Sequence, residues 1–386
     1  MPVENFCALV CVVTMRRFAT ALSACLWACG DNADTPPDAP PDAPRFASAP
    51  HTPMPLVFPH AGEVLANVQL ATVTFDDYAA RPQVEAFGDA LVVSPWYQSV
   101  GLEYGVLPGV HAQQLTLGPT PEALSRDGIR ARVLELLDGP VAPRPATGNQ
   151  QLYVIYVPPS VIRGDGLQDI RGYHEMVTLD GAWVAIAVVL DDGSGLAQTT
   201  ATAAHQVIDA VTNPYDPPRD GYYADPPMTD PWSLVRREVA DLCEGEAPIA
   251  EPASGYAFPR IYSNHAAAAG RSPCRPEDDD DDTWSDVTAS PSRMQVVPGG
   301  GSITFELTGW STRELPDWQL CTHVADFSML SNDEMSPTLS RDTINNNTTV
   351  TLTLHVPTSA ASGATGGVYV LSGANQHPWA VGFVVR

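Results

Sequence analysis

His205 and Asp209 stand four residues apart in the stretch Ala203-Ala204-His205-Gln206-Val207-Ile208-Asp209. On an α-helix that spacing puts both side chains on one face. Zinc metallopeptidases present two metal ligands in this way, with a glutamate directly after the first histidine as general base. A third ligand normally comes from a later segment. Glu238 and Asp241, spaced i, i+3 on a helix expected over 233–243, are the candidates. Zinc accepts imidazole nitrogen and carboxylate oxygen alike, so His205, Asp209, Glu238 and Asp241 form an admissible ligand set. Residue 206 is Gln, and an amide cannot take a proton from a metal-bound water. Glu175 is the candidate replacement base, provided its strand runs beside the helix. An isolated histidine on a helix is more often a satisfied core residue than a ligand. The segments around His205 are what lift it above that expectation.

Those segments are short and distinctive. Thr212-Asn213-Pro214 follows the His205–Asp209 pair, and Glu238-Val239-Ala240-Asp241-Leu242-Cys243-Glu244-Gly245 comes later. Gly172-Tyr173-His174 precedes both. Together they resemble the EXORDIUM / phosphate-induced protein family of plants. That family carries His-Glu-Leu-Ala-Glu, then Thr/Ser-Asn-Pro, then Glu-Ile-x-Asp-Leu-Cys-Glu-Gly. The resemblance spans roughly residues 65–275 and implies a zincin-like secreted domain. This chain also departs from the family's pattern. Gln206 replaces the family's glutamate. Asp209 replaces a second one and shortens the side chain by one methylene, about 1.5 Å. The expectation is a zinc-binding but catalytically impaired homologue of a peptidase. A metal-free envelope module and an active metallopeptidase with an unconventional base are the alternatives.

The elements that must position these residues read as mixed α/β. Residues 64–75 and 151–157 have strand character, and 183–190 is a near-continuous apolar run suited to a central buried strand. Helical spacing appears at 82–93, 96–104, 124–137 and 197–211. Residues 213–232 are rich in Pro, Asp and Tyr and read as a long loop. From 287 to 386 short strands alternate with turns, as at 295–297, 303–308, 349–356, 368–371 and 379–385, which suggests an all-β sandwich of immunoglobulin-like type. The expected order is a signal segment (1–28), a Pro-rich tether (29–54), a zincin-like α/β domain (55–276), an acidic linker (277–286) and the sandwich (287–386). The run Glu277-Asp278-Asp279-Asp280-Asp281-Asp282 lacks the alternating ligands and central glycine of a calcium loop, so it reads as a solvated spacer.

The N-terminus reads as an export signal. Met15-Arg16-Arg17 precedes an apolar stretch from Phe18 to Ala28, too short to span a bilayer. Leu26-Trp27-Ala28-Cys29-Gly30 resembles a bacterial lipobox, which makes Cys29 the expected lipid site and Cys25 the alternative. The chain is thus expected to be exported and membrane-anchored at the cell envelope, with an envelope protein or polysaccharide as partner. Cys243 and Cys274 are the expected disulfide in that oxidising setting, with Cys321 a buried thiol outside it.

Composition supports export and excludes other partners. The 386 residues carry 20 basic side chains, all Arg, against 45 acidic ones, a formal charge of −25. No basic cluster faces phosphate, so nucleic acid is excluded as a partner. The chain has no Gly-x-Ser-x-Gly elbow and no phosphate-cradling loop. His265, His323, His355 and His377 are scattered without ligand spacing.

Overall fold

The computed structural model describes residues 46–139, 150–168, 170–215, 219–235, 238–275, 284–373 and 377–386. The expected signal segment, Cys25, Cys29, most of the tether and the acidic run 277–282 lie outside the described residues.

The first half builds a five-stranded sheet from β1 (Gln69–Thr74), β2 (Val110–Thr116), β3 (Gln151–Val157), β4 (Gly172–Leu179) and β5 (Ala182–Leu190). Their order is β2-β1-β3-β5-β4. The first four strands are parallel, and β4 runs antiparallel along one edge. Central strands of such a sheet are covered on both faces, which is why β3 and β5 read as unbroken apolar runs.

Alternate residues divide cleanly between two cores. Leu152, Val154 and Tyr156 of β3 join Ala185, Ala187 and Val189 of β5 on one face. Tyr153, Ile155 and Val157 join Val184, Ile186 and Val188 on the other. Helices α1 (Arg81–Leu91) and α4 (Leu196–Thr212) cover the first face, through Val84, Phe87, Ala203, Ala204, Val207 and Ile208. Helix α3 (Arg126–Asp138) covers the second with Ile129, Val133 and Leu137. A further helix, α2 (Pro95–Tyr104), starts on an Ser94 side chain that accepts from the Tyr97 amide.

The second half forms two sheets. One has the order β6-β8-β12-β10, from β6 (Ser285–Ser290), β8 (Ser302–Ser311), β10 (Thr338–Leu339) and β12 (Thr349–His355). The other has the order β7-β14-β13-β9-β11, from β7 (Gln295–Val297), β9 (Trp318–Val324), β11 (Thr343–Ile344), β13 (Thr365–Ser372) and β14 (His377–Val385). Phe305, Leu307 and Leu352 of the first sheet share a buried cluster with Val368, Val370 and Phe383 of the second. The same cluster continues into the α/β half, and Ser48–Arg386 form one compact unit. Strand β6 starts at Ser285, so the last two residues assigned to the linker belong to the sheet instead.

Two local expectations are corrected. Residues 233–243 do not form one helix: a 3-10 turn covers Pro231–Leu234 and another covers Asp241–Cys243. Asp230 caps the first by accepting from the Trp232 amide at 3.0 Å, and the chain leaves it in extended backbone at Val235. Cys321 is half-buried on β9 rather than buried. The Cys243–Cys274 disulfide forms as expected. Among the described residues no helix is long and apolar enough to cross a membrane.

Candidate metal centre

Helix α4 carries the central pair. Its sequence is rich in Ala and Thr, and it is buried almost throughout, so it lies close to the sheet. Thr200 and Thr212 spend their hydroxyls on the carbonyls of Leu196 and Ile208, which lets these polar residues sit inside. Gly172, at the start of β4, permits the closest approach. A Cβ there would fall 2.9 Å from Gln206 Cγ and 3.1 Å from Thr202 Cγ2. Gln206 is thus buried against the edge strand.

Strand periodicity then decides what faces the helix. Residues 172 and 174 share one face of β4, and 175 takes the other. His174 therefore meets the site, its Nε2 3.3 Å from Glu238 Oε1. Glu175 turns away to α3, where its Oε2 accepts from Arg126 at 3.0 Å and Arg130 at 2.6 Å. The strand does run beside the helix, but Glu175 cannot serve as the missing base. Its carboxylate lies on the opposite face and is engaged by two guanidinium groups.

His205 and Asp209 project together as the i, i+4 spacing requires. His205 Nε2 lies 3.1 Å from Asp209 Oδ2 and 3.2 Å from Asp241 Oδ1. The three ligand atoms available from His205, Asp209 and Asp241 all fall within 4.8 Å of one another. Asp209 holds its second oxygen on the Ala240 amide at 2.9 Å, so helix α4 and the Asp241 loop are bonded directly beside the cluster. The disulfide at Cys243 and a Tyr262 amide bonded to the Val239 carbonyl at 2.9 Å pin that loop further.

Glu238 does not join the three. Its Oε1 accepts from Asn213 Nδ2 at 2.5 Å as well as facing His174. Asn213 caps the end of α4, and its Oδ1 accepts from the Gly221 amide at 2.6 Å. The Thr-Asn-Pro segment thus ends the helix and holds Glu238. Of the four expected ligands, three converge and the fourth forms an adjoining pair with His174. Reading the sequence alone missed His174 as a site residue, although Gly-x-His at the head of a strand was the available signal. A polar cavity of about 220 Å³ opens beside this pair, and its lining includes His174, Glu175, Asn213, Tyr215, Asp220 and Glu238.

The electrostatics follow from burial and crowding. Burial works against a charged His174, but Glu238, then Asp209 and Asp241, outweigh it and raise its pKa to about 9. Burial opposes charge on His205 too, and Asp209 and Asp241 still hold its pKa well above the ordinary value. Burial lifts Asp209 to about 6 against the pull of His205. In this cluster the carboxylates of Asp209, Glu238 and Asp241 favour the protonated forms of His174 and His205.

A metal suits that donor set. Ligand atoms about 2.0–2.1 Å from a tetrahedral zinc stand about 3.3 Å apart. The two distances from His205 Nε2, 3.1 and 3.2 Å, match that separation. His205, Asp209 and Asp241 would be the residues to hold such an ion.

No protein-family model matches this chain, and no curated protein sequence matches it either.

Proposed function

We propose that this chain is a metal-binding protein of zincin-like type whose peptidase chemistry is impaired. The observation that carries the reading is the convergence of His205, Asp209 and Asp241 around one point, in the donor types and spacing that zinc takes. The metal would be held by those three groups and would supply Lewis acidity and an activated water. His174, held by Glu238, is placed to donate a proton or a hydrogen bond into the adjoining cavity. Gln206 offers no base, which is the reason for assigning weak or absent peptidase activity.

Further support comes from the arrangement. The helix bearing the ligands follows the central strand β5 and lies against an antiparallel edge strand, as a zincin-like reading needs. The four segments that resemble the EXORDIUM family, distant in sequence, supply the site together: Gly172–His174, His205–Asp209, Thr212–Pro214 and Glu238–Cys243. The two C-terminal sheets are read as an immunoglobulin-like sandwich attached to that domain. Export and lipid attachment at Cys29 remain part of the proposal, with an envelope protein or polysaccharide as the partner. The mass of the mature N-terminal peptide decides between Cys29, Cys25 and no lipid.

The decisive test of the metal reading is elemental analysis of the purified protein with a His205→Ala control. One equivalent of zinc in the native chain and none in the variant is expected. No zinc in either, with unchanged thermal stability in the variant, defeats it. Zinc-loaded native protein is expected to leave casein uncut, and Gln206→Glu to raise hydrolysis above that background.

A second reading has its own observation. His205 already sits between two carboxylates at 3.1 and 3.2 Å, so a protonated imidazole could close the cluster without metal. That reading makes the domain a metal-free binding or structural module, and the same zinc analysis separates the two.

A further inference from the structure

The loop that carries Glu238 and Asp241 is anchored on the C-terminal sheets. Trp232 meets Trp379 of β14 edge to face, with ring centroids 5.8 Å apart. Two residues on, Leu234 is buried over Gly367 of β13 and Gly382 of β14. These glycines are direct partners across the two strands. A Cβ at 367 would fall 2.5 Å from Leu234 Cδ1, and one at 382 would fall 2.8 Å from it. Only the paired glycines leave room for the leucine. Glycine in a strand interior weakens a sheet, so the pair is a cost that a docked side chain can offset. Backbone bonds frame the slot: Phe327 N–H donates to the Leu234 carbonyl at 2.9 Å, and Ala325 N–H to the Gly367 carbonyl at 3.0 Å.

The same face reaches the cluster electrostatically. Tyr369 lies two residues along β13 from Gly367, on the same side of the strand. Its hydroxyl donates to Asp326. Burial raises its pKa first, the Asp326 charge next, and Asp241 adds in the same direction.

We infer that the C-terminal sheets are a working part of the site: Leu234, seated in the Gly367–Gly382 slot, is a positioning residue that sets where Glu238 and Asp241 meet His174 and His205. For its functional meaning this rests on the metal-binding reading. The alternative role for the C-terminal half, a separate spacer or binding module, would not require such a seat beside the ligand loop. Leu234 is held by this seat and Cys243 by its disulfide to Cys274.

The test uses the full chain and two readouts. Zinc affinity reports the site with metal. Hydrogen exchange at the Ala240 amide, which is bonded to Asp209, reports it in metal-free protein. Leu234→Ala is expected to weaken zinc binding about 10–100-fold, the range for lost supporting contacts at metal sites, and to speed Ala240 exchange. Leu234→Val, a smaller truncation, gives the same directions if the alanine variant does not fold. Leu234→Met should restore both readouts. Val350→Ala, a core truncation on β12 away from the slot, controls for general weakening of the C-terminal sheets and should change neither readout beyond about twofold at a temperature where the chain is folded. Unchanged Ala240 exchange in the Leu234 variants overturns the inference. So does equal loosening by Val350→Ala. If native protein binds no zinc, the metal reading falls, while the exchange measurement still decides the positioning role.

Discussion

Strand β4 separates two charge clusters, each around a buried carboxylate, that begin one residue apart. On one face Glu175 is answered by Arg126 and Arg130, and the Arg126 guanidinium also stacks 4.3 Å from the centre of the Tyr173 ring. On the other face His174 opens a group of two imidazoles and three carboxylates. The first cluster is balanced by cations that do not titrate in proteins. The second pairs its carboxylates with histidines, whose charge depends on pH. The first cluster therefore has the composition of a structural ion pair, whereas the second has the donor types that could hold a cation. This contrast, more than any single distance, separates an ordinary structural ion pair from a candidate binding centre.

The largest effect is expected from Asp209→Ala. It deletes a fully buried carboxylate, strands the Ala240 amide and leaves His205 with one partner fewer. Stranding a buried donor and emptying the site of a buried side chain costs about 3 kcal/mol. Urea unfolding of the metal-free variant checks it, and a loss below about 1 kcal/mol would show that Asp209 does not hold the loop to the helix.

The pH dependence comes next. His174 is raised from 6.5 to about 9, so the folded state favours its protonated form. Its stabilising contribution is full below pH 6.5 and is lost as pH rises through about 9, at most roughly 3 kcal/mol. Asp209 has the same sign at lower pH: its contribution is full below 3.8 and is lost as pH rises through about 6. Unfolding of metal-free native protein and of His174→Gln across this range tests the claim. The variant should lose the His174 share of the alkaline limb, while the share from His205 remains. Zinc binding should strengthen from pH 6 to 8 and release protons into buffer, because His205 must give up its proton to bind.

The smallest effect is expected from Glu175→Gln on the opposite face. Both arginines are 41% exposed and recover water, so the loss should be about 1–2 kcal/mol. Zinc affinity should stay within about twofold. A large loss of zinc affinity there would erase the distinction between the two faces.

Much of the frame was legible because its signals are local. The expected strand 151–157 coincides with β3, and the 183–190 run lies inside β5. Helix α4 differs from its expected span by one residue at each end. The i, i+4 geometry of His205 and Asp209 followed from that helix, and Asp241 from the segment around Cys243. Strands β2 and β9 were not legible. Their residues alternate weakly because β2 is an exposed edge and β9 is only partly covered. The fates of Glu238 and Glu175 were equally hidden. Glu238 is captured by His174 and Asn213 from two other elements, and Glu175 is turned away by the pleat of an edge strand whose register no local pattern declares. The role of Leu234 depends on two glycines more than a hundred residues downstream, a match of shape that composition does not record.

The most direct test of the central claim is a crystal structure of zinc-treated protein with anomalous data collected at the zinc edge. One strong peak is expected about 2.0–2.2 Å from His205 Nε2, Asp209 Oδ2 and Asp241 Oδ1. No peak at that point, with His205 still bridging the two carboxylates directly, would contradict it.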